Sequence, residues 1–167
     1  MLIDLSQVLS GRIERQSFDA IVEFENDKVL TENGVVKRAP LDVKGEVAST
    51  DGKLLLNMVY KAEWVFNCGR CLCDVQREIS GSLCKELLRT PIEDDDNVVV
   101  LSSKELDISK LLWDEVILNL PLQVLCNEDC KGLCPNCGIN LNVETCNCDN
   151  DYIDPRLEGL KNFFNED

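Results

Sequence analysis

The fold is decided by residues 54–66, which read LLLNMVYKAEWVF. Every even position in this stretch is apolar, whereas Asn57, Lys61 and Glu63 occupy odd positions. A period of two places successive side chains on opposite faces of a strand. The stretch therefore predicts a long β-strand with one buried face and one exposed face.

Two shorter stretches on the N-terminal side, residues 18–24 and 41–47, alternate between apolar and charged residues in the same way. Asn33-Gly34 and Asp51-Gly52 separate these stretches from one another and from the long strand. Such dipeptides favour two-residue hairpin turns, because both turn positions require positive φ. We therefore expect an antiparallel sheet, arranged as a meander or a partial barrel.

The pattern changes after the long strand. Residues 74–90 predict another strand or a mixed element, and the apolar residues 98–101 predict a short strand. The acidic run at 91–97 predicts a solvated loop, because no glycine-punctuated calcium-binding pattern surrounds it.

Helical periodicity replaces alternation over residues 107–120. Asp107 or Ser109 can cap the first turn, and Pro121 ends the helix. Asp154-Pro155 combines an N-cap residue with proline at the first helical position, so it predicts a short C-terminal helix.

These elements predict the α+β fold class. We expect an antiparallel sheet with one or two packing helices and a small C-terminal zinc-knuckle module. Residues 1–122 would form the sheet domain, with its helix near 107–120. Residues 123–167 would form a cysteine-rich, zinc-binding tail whose short helix packs on the same domain.

The amino-acid composition limits the kinds of catalytic site and metal site that the chain can form. The 167 residues include ten cysteines and no histidine, and the net charge is −14. Lack of imidazole excludes His-dependent triads, proton shuttles and mixed Cys/His metal sites. No apolar run reaches transmembrane length and no signal-peptide pattern is visible, so we expect a cytoplasmic location. Clustered cysteines in that compartment bind metal more often than they form disulfides.

Eight of the cysteines fall into closely spaced groups. The run Cys134-Pro135-Asn136-Cys137-Gly138 is typical of a zinc knuckle, in which proline stiffens the turn and glycine lets backbone N–H groups approach the sulfurs. Our first partition assigns two zinc ions, one to Cys134, Cys137, Cys146 and Cys148 and the other to Cys68, Cys71, Cys126 and Cys130.

Alternatives remain open for both groups. A single metal site would combine Cys134 and Cys137 with Cys130 and either Cys146 or Cys148. Disulfide chemistry and an iron–sulfur cluster are further options for the tail. Cys68 and Cys71 could instead be buried thiols or a redox pair, although a thioredoxin-like pair opens a helix after a strand. Cys73 and Cys84 are predicted to be partly buried packing residues, since no histidine can activate them.

Four motifs occur in order along the chain. They are Cys68-x-Arg70-Cys71-Leu72, residues 115–122 (EVILNLPL), residues 130–142 (CKGLCPNCGINLN) and Asp154-Pro155-Arg156-Leu157 with Leu160. Together they resemble the YceD family, in a branch with a cysteine-rich tail, over about residues 4–164. Leu157 differs from the aromatic residue that some branches carry at that position. The resemblance implies a role in accumulation of large-subunit ribosomal RNA and supplies no catalytic residues.

Electrostatics favours a protein partner over bare RNA. Phosphate contacts need a basic surface, and residues 68–90 carry a slight excess of four basic over three acidic residues. An acidic protein suits a basic partner, such as a ribosomal protein or the assembling large subunit. Direct contact with ribosomal RNA would use a small set of residues: Arg70, Arg77, Lys131, Asn136 and Asn140.

The leading hypothesis is a non-enzymatic ribosome-biogenesis factor that holds one or two zinc ions and uses neither a membrane nor a small-molecule substrate. A thiol–disulfide or redox-sensing protein that uses Cys68 and Cys71 is the first alternative. A zinc-ribbon module that binds RNA is the second. Two all-cysteine zinc sites would deepen the net charge to about −18, because each ion brings two positive charges to four thiolates.

Overall fold

The computed structural model describes residues 1–24, 28–50, 52–90, 95–148 and 156. Its strands, in chain order, are β1 (Leu2–Asp4), β2 (Arg15–Val22), β3 (Val35–Arg38), β4 (Leu41–Thr50), β5 (Lys53–Asn67), β6 (Asp74–Leu88), β7 (Val98–Val100) and β8 (Glu105–Asp107). Its helices are α1 (Ser6–Leu9), α2 (Lys28–Glu32) and α3 (Ile108–Asn119). The combination confirms the predicted α+β class.

The predicted long strand is β5, and it lies at the centre of the main sheet. Over the described residues this sheet has six strands, in the order β2-β4-β5-β6-β7, and β3 pairs with the C-terminal end of β5. All neighbours are antiparallel except β7, which runs parallel to β6. The sheet is open, with β2 and β7 at opposite edges, and β1 pairs separately with β8.

Strand β6 accounts for the irregular region after the long strand. It pairs with β5 along almost its whole length, from Leu87 opposite Leu54 to Asp74 opposite Asn67. Two charged side chains weaken its periodicity, because Arg77 is registered with Trp64 and Lys85 with Leu56, on the face that is otherwise apolar. Arg77 stays exposed and Lys85 is half-buried, so the two charged residues interrupt the apolar alternation of this strand.

The two predicted hairpin dipeptides have different outcomes. Thr50 pairs with Lys53 across the connection at 51–52, and Gly52 has a φ of +79°, as a tight hairpin requires; Asp51 lies outside the described residues. The prediction for Asn33-Gly34 was wrong, because these residues follow α2 and terminate it. Gly34 donates its N–H to Thr31 O with a φ of +78°, and a helix C-terminus favours glycine in that conformation as strongly as a hairpin does.

The core lies between one face of the main sheet and α3. The buried side chains of β5 are the even positions Leu56, Met58, Tyr60, Ala62, Trp64 and Phe66, each at most 7% exposed. Ile108, Leu112 and Val116 form the buried stripe of α3. Burial of each large apolar side chain contributes about 1.5–3 kcal/mol, so α3 is fixed to the sheet by its stripe.

The ends of α3 follow the predicted signals. The Asp107 carboxylate accepts the Ser109 N–H at 3.1 Å and caps the first turn. Leu120 is extended and Pro121 follows it, so the helix stops there. None of the helices in the described residues has the length and apolarity needed to cross a bilayer. The helix predicted at Asp154-Pro155 and the start of the acidic loop at 91–94 lie outside the described residues.

Candidate metal centres

The loop between β5 and β6 forms a tight turn around Cys68 and Cys71, which we call a knuckle. Leu72 donates its N–H to Cys68 O at 3.0 Å, and Cys68 donates its own N–H to Cys73 O at 2.8 Å. Leu72 adopts a φ of +60°, which is rare for a residue with a side chain. The strained conformation is retained because the paired ends of β5 and β6 fix both sides of the loop.

The run at 134–139 repeats this conformation position by position. Gly138 donates its N–H to Cys134 O at 2.9 Å, and Cys134 donates its N–H to Ile139 O at 2.8 Å. Gly138 has a φ of +74° and corresponds to Leu72 in the first knuckle. Two segments with different sequences thus share one hydrogen-bond pattern around a Cys-x-x-Cys pair.

Each knuckle aims backbone N–H groups at its first sulfur. The N–H groups of Cys71 and Arg70 lower the pKa of Cys68 to about 6, and those of Cys137 and Asn136 lower the pKa of Cys134 to about 6. Hydrogen bonds to the charged form stabilise a thiolate. Each knuckle therefore favours the thiolate form of its first cysteine.

The first group of sulfurs, which we call the strand-end cluster, consists of Cys68, Cys71, Cys73, Cys126 and Cys130. The Sγ atoms of the first four lie within 4.8 Å of one another. The Sγ atom of Cys71 is 3.3 Å from that of Cys73 and 3.5 Å from that of Cys126, and the Cys68 and Cys130 Sγ atoms are 3.9 Å apart. Tetrahedral coordination with metal–sulfur bonds of about 2.3 Å separates sulfurs by about 3.8 Å, so the two longer distances are close to those of a metal-binding site and the Cys71–Cys73 distance is shorter.

The second group, which we call the tail cluster, consists of Cys134, Cys137, Cys146 and Cys148. Their Sγ atoms also lie within 4.8 Å of one another. All ten cysteines belong to the described residues and are free thiols. Two separate groups of at least four thiols can therefore each hold a metal ion.

The crowded thiols also resist losing further protons. Hydrogen bonding with Cys137 and burial raise the pKa of Cys148 to about 12, and hydrogen bonding with Cys71 raises the pKa of Cys126. A neighbouring thiolate disfavours a second negative charge. A bound dication removes this repulsion, so the donor sets fit a cation that prefers sulfur.

The structure brings together the tail thiols in the predicted partition. It also brings Cys68, Cys71 and Cys126 together and places Cys130 beside Cys68. Sequence reasoning missed Cys73, although the Cys71-x-Cys73 spacing was a signal for it. The expectation that Cys84 is partly buried was wrong, because it lies on the exposed face of β6.

The segment between the clusters joins them through hydrogen bonds. The Arg70 guanidinium donates to Glu128 O at 3.2 Å and to Cys130 O at 2.8 Å, and Arg70 O accepts the Leu133 N–H. Asn142 accepts the Lys131 N–H at 2.8 Å and donates to Cys130 Sγ at 3.4 Å. The first knuckle is therefore one support of the second.

The residues predicted to contact RNA lie around the two knuckles. Arg77 donates to Leu125 O at 3.2 Å, so both it and Arg70 hold the chain that follows α3. Lys131 and Asn136 are exposed, and the Asn140 side chain accepts from Asn142. These contacts give the two arginines a structural role. RNA binding by the five residues stays a prediction.

A known protein family matches the part of the chain that contains both knuckles. The model of a family described as large ribosomal RNA subunit accumulation protein YceD matches residues 56–164, which include most of β5, all of β6 and α3, and both knuckles. The chain belongs to the YceD family. The resemblance drawn from the four motifs is thereby confirmed.

Several curated relatives of this YceD-family chain are similar over most of its length. It is 27% identical over 161 residues to the uncharacterized protein YlbN of Bacillus subtilis (strain 168), covering 93% of each chain. It is 26% identical over 152 residues to the chloroplastic large ribosomal RNA subunit accumulation protein YCED homolog 1 of Zea mays, covering 71% of this chain and 52% of that protein. An uncharacterized protein of Mycobacterium tuberculosis is 32% identical over 128 residues, which cover 73% of this chain and 61% of that protein. No solved structure matches the chain.

Proposed function

We propose that this protein is a non-enzymatic, cytoplasmic assembly factor that supports accumulation of large-subunit ribosomal RNA by contacting a basic ribosomal protein or the assembling subunit. The observation that carries the proposal is the YceD-family match over residues 56–164. The maize relative, whose name refers to large ribosomal RNA subunit accumulation, supports the same process. The family description and the name of the maize relative both favour a ribosome-related role.

The charge of the protein supports a basic partner. The net charge is −14, and several basic side chains are engaged within the molecule. Lys53 pairs with Glu86 at 3.0 Å and Arg15 with Glu46 at 3.3 Å, while Arg70 donates to backbone carbonyls. Electrostatic complementarity speeds and orients association with a partner of opposite sign.

The exposed face of the main sheet offers one place for such a partner. Glu63 and Glu78 are directly opposite on β5 and β6, and both are exposed. Gln76 donates a hydrogen bond to Glu63 at 2.6 Å. Like charges opposite one another destabilise a sheet, and a cationic side chain laid across this pair would relieve the repulsion.

Zinc(II) is the metal that we assign to both clusters, in a structural role. All-cysteine sites with tetrahedral spacing favour zinc, and no imidazole is present to complete a mixed site. Each ion would hold four sulfurs, fix the knuckles in place and leave no open coordination position. Loading also makes the protein more acidic, which favours the basic partner further.

A redox role is favoured by the backbone N–H groups of Cys71 and Arg70, which lower the pKa of Cys68 to about 6. The same pKa occurs at Cys134 in a knuckle of the same conformation, and neither pair opens a helix. Thiol labelling of the metal-loaded protein separates the two functions. Protection of Cys68 and Cys71 supports a structural metal, whereas rapid labelling at this pair supports redox chemistry.

Depletion in the host, followed by complementation, tests the proposed function. Loss of the protein should lower large-subunit ribosomal RNA and the large-subunit peak in a density gradient. A Glu63→Lys/Glu78→Lys variant should restore neither, whereas the control variant Glu14→Lys/Glu32→Lys, which changes net charge equally at exposed positions, should restore both. Unchanged ribosomal RNA after depletion would refute the function, and full rescue by the first variant would refute only the surface.

Direct RNA contact makes a separate prediction. Binding through phosphates weakens steeply as salt increases, because it depends on counterion release. Ribosomal RNA binding that weakens steeply as salt increases, and that is weaker in Lys131→Ala than in the wild type, would favour the RNA module. Salt-dependent capture of a basic ribosomal protein without RNA favours the proposal.

A further inference from the structure

The strand-end cluster contains more sulfur ligands than one tetrahedral ion can use. Five thiols from the described residues surround the first knuckle, and four is the usual number around zinc. Cys68 and Cys71 belong to the knuckle itself, and Cys126 donates its N–H to the Cys68 sulfur at 3.4 Å. These three thiols are held by the backbone, which leaves two candidates for the fourth position.

Cys73 is the first candidate. Its Sγ atom lies with those of Cys68, Cys71 and Cys126 inside the 4.8 Å limit, and it is half-buried at the start of the chain toward β6. Its Sγ atom is 3.3 Å from that of Cys71, shorter than the tetrahedral separation of about 3.8 Å. A small rotation about the side chain would be needed for both sulfurs to bind one ion.

Cys130 is the second candidate. Its Sγ atom is 3.9 Å from that of Cys68, close to the tetrahedral separation, and it is buried at 3% exposure. The Arg70 guanidinium fixes the Cys130 carbonyl, and Asn142 donates to the Cys130 sulfur. Coordination by Cys130 would therefore tie the tail to the end of the sheet, whereas coordination by Cys73 would not.

We propose that the strand-end cluster holds one thiophilic dication through Cys68, Cys71 and Cys126, while Cys73 and Cys130 alternate as the fourth ligand. Exchange forms one metal–sulfur bond and breaks another: the incoming thiol gives up its proton to water and the released thiolate takes one up, with no net change in protons or oxidation state. The exchange releases or docks the segment at 127–133 without loss of the metal. The inference rests on metal binding at this cluster, which is part of the proposed function, and is independent of the ribosomal role.

Cadmium-113 NMR of the full chain tests the exchange. Each loaded cluster gives its own resonance, which moves upfield when a thiolate is lost, and the tail resonance serves as an internal check of folding. Cys73→Ser and Cys130→Ser should each keep the strand-end resonance in the four-sulfur range. Cys73→Ser/Cys130→Ser should move it upfield to the three-sulfur range.

Cys84→Ser is the matched control, because this thiol lies on the exposed face of β6 outside both clusters. It should leave both resonances unchanged. An upfield shift in either Cys73→Ser or Cys130→Ser would overturn the exchange, because that residue would be an obligatory ligand. An unshifted double variant, or a wild-type chain without a strand-end resonance, would overturn it as well.

Amide hydrogen exchange gives a second readout. Cys130→Ser should speed exchange at Leu133, whose N–H is bonded to Arg70 O at 3.2 Å, while the cadmium ion stays bound. Cys73→Ser leaves Cys130 as the permanent fourth ligand, so it should make that amide more protected than in the wild type. Equal protection at Leu133 in the two variants would contradict a ligand choice that controls the tail.

Discussion

The left-handed residue of the second knuckle offers a quantitative test of how the tail is held. Gly138 has a φ of +74°, and a Cβ atom built there meets nothing within 4 Å. Gly138→Ala therefore adds backbone strain without a steric clash, at about 1–2 kcal/mol. A factor of ten in an equilibrium constant corresponds to about 1.4 kcal/mol, so metal affinity at the tail cluster should fall roughly 5- to 30-fold.

Gly52→Ala is the matched control for this prediction. Gly52 has a φ of +79°, and its Cβ would likewise meet nothing within 4 Å, but it lies in the β4–β5 hairpin. Chelator competition followed by cadmium NMR should detect the loss of tail affinity in Gly138→Ala and unchanged affinity in Gly52→Ala. Urea unfolding should show the opposite order for the stability of the sheet. Equal tail affinities in the two variants would refute the idea that the knuckle conformation supports metal binding.

Three further predictions concern the tail, the core and pH. Cys134→Ser should abolish protection of the tail amides while far-ultraviolet circular dichroism of the sheet stays unchanged, because the metal supplies the folding free energy of a small knuckle module; a lost sheet signal would contradict this. Gly81→Ala should lower the free energy of unfolding in urea by about 1–3 kcal/mol, since its Cβ would lie 2.5 Å from the buried Tyr60 hydroxyl; Ser80→Ala, on the exposed face, should change it little. Zinc binding at the tail should release protons at pH 7, because the pKa of Cys148 is raised to about 12 and the thiol must lose its proton to bind. Zinc affinity should therefore rise with pH. Calorimetry in buffers of different ionisation enthalpy measures the number of protons released, and binding heats that do not depend on the buffer would rule out the release.

Residues 54–66 predicted the fold because their alternation is local and both faces of the strand have distinct environments. The prediction failed at Asn33-Gly34 for an equally local reason, since a helix end and a hairpin require the same positive φ. The parallel pairing of β7 with β6 depends on a connection across residues 89–97, and no short-range pattern records it. The sequence predicted which segments form strands, but it did not predict which strands are neighbours in the sheet.

The tail cluster was predictable because its four cysteines are close in sequence. The sequence-based partition also placed Cys68, Cys71 and Cys126 in one site, and the fold supplies the reason, since Cys68 and Cys126 meet where the β5–β6 loop lies beside the chain that follows α3. Cys73 was assigned to packing because a thiol without a histidine is a poor nucleophile. That argument excludes catalysis and says nothing about metal ligation, for which the Cys71-x-Cys73 spacing is sufficient.

The supports of the two knuckles differ, and this difference sets the order in which they should release metal. Cys68 and Cys71 lie in the loop of a hairpin whose strands are paired from Leu54 to Asn67, so their backbone is ordered without metal. The loop around Cys134 is not part of a paired hairpin of strands; it is held by an isolated bridge between Leu133 and Asn140, by a few local hydrogen bonds and by contacts to the first knuckle. Ordering a residue costs about 1–2 kcal/mol in conformational entropy, and the tail must meet that cost from its binding free energy. With the same sulfur ligands in both clusters, a chelator titration should therefore empty the tail cluster first, and earlier release from the strand-end cluster would show that the hairpin does not preorganise it.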